Sequence, residues 1–221
     1  MKIHLGCGSV TPADWINVDA SWNARLVKFP LLRSLLGTWR MVPIELTRLS
    51  WNPHVRIHDV RKPLPFHSQS AAVIYASHLL DCLYLDETKR LMAESFRVLK
   101  TGGIVRFVVE DVRGILEEYL SGHPDSQMSA ELAKLRPVDR LMARLLCMKP
   151  EPPRAAFFYR LYLSRTNLQT RKWAYDADSL IHYLQEASFS QVQQRPFLES
   201  RISGIEQIEK NPGICVEGVR C

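Results

Sequence analysis

The sequence predicts an α/β fold, a doubly wound and mostly parallel sheet of seven strands with a helical insertion. Three observations carry that expectation. An apolar run, KIHLG at residues 2–6, breaks at Gly6-Cys7-Gly8, which reads as a buried strand and a glycine turn. Strand-like and helix-like runs then alternate as far as residue 111, the pattern of a parallel sheet with helices on both faces. Two further β-rich runs, QVQQRPF at 191–197 and ICVEGVR at 214–220, follow the last helix.

The elements follow in order. WINVD at 15–19 reads as the second strand, with Asp19 at its end. Only about ten residues separate it from the first strand, near the lower limit for a parallel crossover, so a connecting helix has room for a turn or two. Residues 23–51 mix bulky apolar side chains with Arg and Lys and are interrupted by Pro30 and Gly37, as short helices or a cap would be. VRIHD at 55–59 alternates like a third strand, and KPLPF is a loop because two prolines in three residues forbid regular structure. AAVIYAS at 71–77 is the fourth strand, and 79–85 a helical turn. Leu91, Met92, Ser95, Phe96 and Leu99 keep helical spacing over 87–100, and Thr101-Gly102-Gly103 reads as the helix stop. IVRFVVED at 104–111 is the fifth strand. VRGILEEYL is helical, residues 128–148 form one or two helices with Pro137 at a helix start, and 176–186 is a further helix.

Size and composition fit one domain over 1–221. Of the 221 residues, 46% are hydrophobic and 24% charged, enough apolar surface for a sizeable core. No run approaches 18 consecutive apolar residues, and no basic n-region with a long apolar stretch precedes Ile3, so neither a membrane span nor a secretory signal is expected. Five scattered cysteines without a CxxC fit reduced thiols and a cytoplasmic setting. The net charge of +6 is uneven. Residues 134–172 hold ten Lys or Arg against Asp139 and Glu151, a local charge of +8, and the rest of the chain carries −2.

In an open parallel sheet, ligands bind at the carboxyl ends of the strands. A glycine turn there lets the backbone approach a ligand and aim amides at it. Dinucleotides and S-adenosylmethionine both use this geometry. The dinucleotide fingerprint G-x-G-x-x-G fails here, because its third glycine is Thr11. The ordered set HLGCG, NVD, D-x-x-x-PLPF and RVLKTGG instead resembles the class I S-adenosylmethionine-dependent methyltransferases, in particular the small bacterial methyltransferase type 11-like group, with their Rossmann-like sheet. The resemblance covers roughly residues 2–111 and resumes at KWAYDADSLIHYLQEASF and the final strands.

That resemblance implies S-adenosylmethionine as cofactor and assigns residues by position. Gly6, Cys7 and Gly8 would line its methionine part. Asp19 would hold the ribose, Asp59 and Val60 would flank the adenine, and Ser77 would face the methyl group. The catalytic candidates are His78, the natural base near pH 7, and Asp111, which can equally cap the helix after it. Asp81 and Glu110 are further carboxylates at strand ends. Two departures from the family stand on the acceptor side, Asp81-Cys82 where it often shows Glu-His and Glu110-Asp111 where it often shows Pro-Asp. They feed the rival reading, a binding or scaffold protein that keeps the fold without catalysis.

Residues 112–172 are an insertion expected to lie over the pocket as a helical lid. Its Arg144, Arg154, Arg160, Arg165, Arg171 and Lys172 suit a small anionic metabolite or a glycan as acceptor. Nucleic acid and an anionic membrane surface are less favoured partners, the latter drawing on RLVKFPLLRSLLGTWR at 25–40. A solvated basic face over an aromatic core stripe (Phe157, Phe158, Tyr159, Tyr162) is the bland alternative.

Overall fold

The structure is a computed structural model and describes residues 1–31, 35, 52–123, 129–147 and 170–221. Seven strands form one sheet: β1 (Lys2–Leu5), β2 (Trp15–Asp19), β3 (Arg56–Ile57), β4 (Ala71–Ser77), β5 (Leu99–Val109), β6 (Ser190–Arg195) and β7 (Ile214–Val219). Their order is β3-β2-β1-β4-β5-β7-β6. The first five pair in parallel, and β7 runs antiparallel to both β5 and β6. This is the Rossmann-like α/β architecture that the alternation of elements predicts. The strand order reverses between β1 and β4, which makes their carboxyl ends the switch point of the sheet.

Helices α1 (Trp22–Leu26), α2 (Leu85–Val98), α3 (Val112–Ser121), α4 (Ala130–Ala133), α5 (Pro137–Leu146) and α6 (Ala177–Glu186), with 3₁₀ turns at Leu80–Cys82 and Ile205–Gln207, complete the described elements. Alternation in the strands sends Ile3, Leu5, Ile74, Ala76, Val105 and Phe107 to one face. There they pack on Leu91 and Met92 of α2 and on Leu180 and Leu184 of α6. The other face carries Trp15, Val73, Tyr75, Val108 and Cys215, covered by Ile202, Ile205 and Ile208. These isoleucines belong to the connection between β6 and β7, which holds only a short 3₁₀ turn at Ile205–Gln207. So over β4, β5 and β7 the expectation of helices on both faces gives way to a helix layer on one side and an irregular strap on the other.

Other elements also depart from expectation. The β1–β2 connection has no helix. Gly6 and Gly8 both take positive φ, and Pro12 cannot donate, so the nine residues close through turns, with Cys7 N–H on Val18 O and Trp15 N–H on Pro12 O. Strand β3 is two residues long, not five. The Thr101-Gly102-Gly103 stop lies inside β5, because α2 ends at Val98 and the strand starts at once. Ala71 pairs with Leu99 but Val73 with Ile104, and the extra residues form a bulge around Gly102, whose φ is +76°. Pro137 does open a helix, as its fixed φ suggests. Among the described residues no helix is long and apolar enough to cross a membrane. Half of the basic segment at 25–40 and the whole aromatic stripe of 157–162 fall outside the described residues.

Candidate functional site

The glycine turn sits at the switch point. Gly6 has φ +64° and Gly8 +56°. A Cβ on Gly6 would come within 3.0 Å of Leu79 Cδ1, whereas one on Gly8 would project into open space. That space adjoins a cavity of about 190 Å³, walled by the turn, by His4 and Ser77, and by Ile208, Lys210 and Asn211.

Asp19 sets the shape of the turn. Its buried carboxylate accepts the Gly8 N–H at 3.0 Å on one oxygen and the Ser21 N–H at 2.7 Å on the other. Ser21 in turn caps α1 by accepting from Ala24 N–H. Two of about four acceptor positions on the carboxylate are therefore used, and the rest remain for a ligand. Cys7 is buried, and burial pushes its thiol up to about 12, so it is a neutral wall residue at pH 7.

Asp59 lies beyond β3, and both its oxygens take N–H groups of Arg61, at 2.6 to 3.1 Å. That partner holds its carboxyl below the usual range. Val60 packs against the main core. Ser77 ends β4 with its hydroxyl buried and unpartnered. His78 follows with φ +49°, its N–H on Val108 O at 2.8 Å. Its Nδ1 lies 3.8 Å from Asp81 Oδ2, and its Nε2 has no partner. Asp111 accepts the Gly114 N–H at 3.1 Å and so caps α3.

The structure thus brings Gly6, Cys7, Gly8 and Ser77 around one cavity and ties Asp19 to it through Gly8. His78 is one residue further on, beside Asp81. Asp59 and Val60 sit on the neighbouring strand end with no bond to the turn, and Asp111 serves its own helix.

The basic residues of the insertion have another surrounding than the sequence suggests. Arg144 pairs with Glu110 at 3.1 Å and also with Glu118. Arg171 pairs with Glu110 at 2.6 Å, and Arg140 with Glu118 at 2.7 Å. Burial disfavours the charge on Arg144, but the two glutamates more than offset it and raise its pKa. Lys172 donates to Cys82 O at 2.9 Å and stands over the Tyr84 ring. These three arginines neutralise strand-end and helix carboxylates; Arg154, Arg160 and Arg165 lie outside the described residues. Only a space of about 10 Å³ remains between Asp81, Glu110 and Arg171.

Sequence reasoning missed the wall made by 208–211 and the partners Glu118 and Arg140. The three-residue spacing of Ile202, Ile205 and Ile208 is the one local signal that this connection is packed down.

The family described as methyltransferase domain matches residues 3–107, just under half of the chain. Among solved structures, an S-adenosylmethionine-dependent methyltransferase of Methanosarcina mazei aligns over 98% of this chain and 89% of its own, with 16% identity and a TM-score of 0.48. One of Thermotoga maritima, described as a possible histamine N-methyltransferase, aligns over 100% and 81%, with 14% identity and a TM-score of 0.46. A comparison with curated proteins finds no match.

Proposed function

We propose that this chain, whose residues 3–107 match a methyltransferase domain, is an S-adenosylmethionine-dependent enzyme that transfers a methyl group to a small-molecule or glycan acceptor. The observation that carries the reading is the turn itself. Two glycines with positive φ, pinned by a buried Asp19, face a cavity at the switch point. These residues fit the cofactor: the turn leaves open space where a side chain would stand, and Asp19 keeps acceptor positions that two vicinal hydroxyls can use.

When bound, the cofactor supplies an electrophilic methyl group on a sulfonium. The chain has to bind it, align the acceptor and exclude water. For a hydroxyl acceptor a base is required, and His78, whose Nδ1 lies 3.8 Å from Asp81 Oδ2, is the candidate for that role. Ser77 shapes the wall beside it. Of the described basic residues of the insertion, Arg144 and Arg171 tie it to Glu110, and an anionic acceptor falls to Lys172.

A second reading, a methyltransferase-fold protein without turnover, draws on the filled space between Asp81, Glu110 and Arg171. Incubation with methyl-labelled cofactor and a panel of hydroxylated, carboxylated and phosphorylated acceptors separates the two. Transfer to any acceptor that is lost in His78→Ala supports the enzyme. Tight cofactor binding with no transfer across the panel favours the second reading.

A further inference from the structure

The cavity at the switch point has two walls of different origin. One is the glycine turn with Ser77. The other is Ile208, Lys210 and Asn211, from the strap between β6 and β7. That second wall is anchored from beneath. Arg106, fully buried in β5, donates to both oxygens of Glu209 at 2.8 and 2.7 Å, and to the carbonyls of Glu199 and Pro196 at 3.0 and 3.3 Å. Glu209 also accepts the Leu198 N–H at 2.7 Å. Ile208 and Glu209 are both buried, so Lys210 follows two fixed residues.

Lys210 itself is exposed. Its ammonium donates to Glu206 O at 2.7 Å, which uses one of three donors, and among the described residues no carboxylate pairs with it. Most other cations near this sheet are neutralised, Arg106 by Glu209 and Glu217, and Arg201 by Glu217. A cation without a counter-charge at the mouth of a cavity favours an anion there. Asn211 adds an amide to the same wall. His4, also in the lining, is almost wholly buried, with an unpartnered Nδ1.

We infer that Lys210, with Asn211 beside it, receives the carboxylate of the amino-acid end of S-adenosylmethionine, which makes the β6–β7 strap part of the cofactor site. The assignment rests on the cofactor reading above. The carboxylate is the cofactor's one anionic group, and a cavity of about 190 Å³ has room for an amino-acid-sized group beside the turn.

The test is calorimetric titration of the wild type, Lys210→Ala and Lys210→Arg with two ligands. S-adenosylhomocysteine keeps the amino-acid end, and 5′-methylthioadenosine lacks it. The inference expects Lys210→Ala to weaken S-adenosylhomocysteine about tenfold, the loss of one hydrogen bond to a charged group. Lys210→Arg should restore most of that, 5′-methylthioadenosine should bind all three proteins alike, and the defect should shrink in high salt. An unchanged affinity for S-adenosylhomocysteine in Lys210→Ala, or an equal loss for both ligands, overturns the assignment. A wild type that binds neither ligand overturns the cofactor reading and the assignment together, and does so before any substitution is made.

Discussion

At Asp19 one carboxylate organises both the turn and the start of α1 before any ligand arrives. It takes the Gly8 and Ser21 amides, and burial among them fixes its orientation. His4 shows the converse, a titratable group held neutral. It lies against the rings of Tyr75 and Trp15, at centroid distances of 5.2 and 6.4 Å. Burial lowers its pKa from 6.5 to about 4. A folded-state value below the unfolded one gives stability that is fully present above pH 6.5 and is lost as pH falls toward 4. We expect urea unfolding to show up to about 1.4 kcal/mol of lost stability per pH unit in that window from this group. In His4→Gln that part of the slope should vanish. Of these two residues, Asp19 is legible from its place after WINV. His4 is not, because a lone histidine in a strand says nothing of what packs against it.

At the scale of elements, Asp111 separates a cap from a catalyst. It bonds the amide of Gly114 three residues on, as an N-cap side chain does. Asp111→Ala should therefore cost about 1 kcal/mol of unfolding free energy, and Asp111→Asn much less. Affinity for S-adenosylhomocysteine should be the same in all three proteins. A turnover defect in Asp111→Asn at full stability would instead mark a role in the reaction. Helices α2 and α6 are readable from their spacing, since Leu91, Met92, Leu180 and Leu184 all reach the core. Two predicted features fail for one reason. The β1–β2 helix is expected from the parallel-crossover rule and the stop at Gly102-Gly103 from local composition. Both are decided by pairing, of Cys7 N–H with Val18 O and of Gly102 N–H with Arg220 O. Likewise the charge excess of 134–172 is plain in the sequence, but its partners Glu110 and Glu118 come from elements outside that segment.

Across the whole molecule, register lines up Asn17, His4, Tyr75, Arg106 and Glu217 as neighbours on one face of five adjacent strands. Each strand contributes one such residue at the same phase, yet only the strand order shows that they form a row. Arg106 and Glu217 are fully buried, and the strap is clamped to Arg106 through Glu209 and to Glu217 through Ser200 and Arg201. Burial pushes the Glu217 carboxyl up, but hydrogen bonds from Ser200 and Arg201 and the Arg106 charge outweigh it and hold it below the usual range. Replacing Arg106 with Met leaves the buried Glu209 without a cation, while Glu217 keeps Arg201, and about 3–5 kcal/mol of stability should be lost. Hydrogen exchange should quicken over 196–213 before it does in β1 and β4. The central claim is that the turn and Asp19 hold S-adenosylmethionine. Its most direct test is calorimetric titration of the wild type and Asp19→Ala with S-adenosylmethionine and S-adenosylhomocysteine, with folding of the variant checked by circular dichroism. The account predicts micromolar binding by the wild type and a loss of at least about tenfold in a folded variant. No binding of either ligand by the wild type, or equal binding by a folded Asp19→Ala, would contradict it.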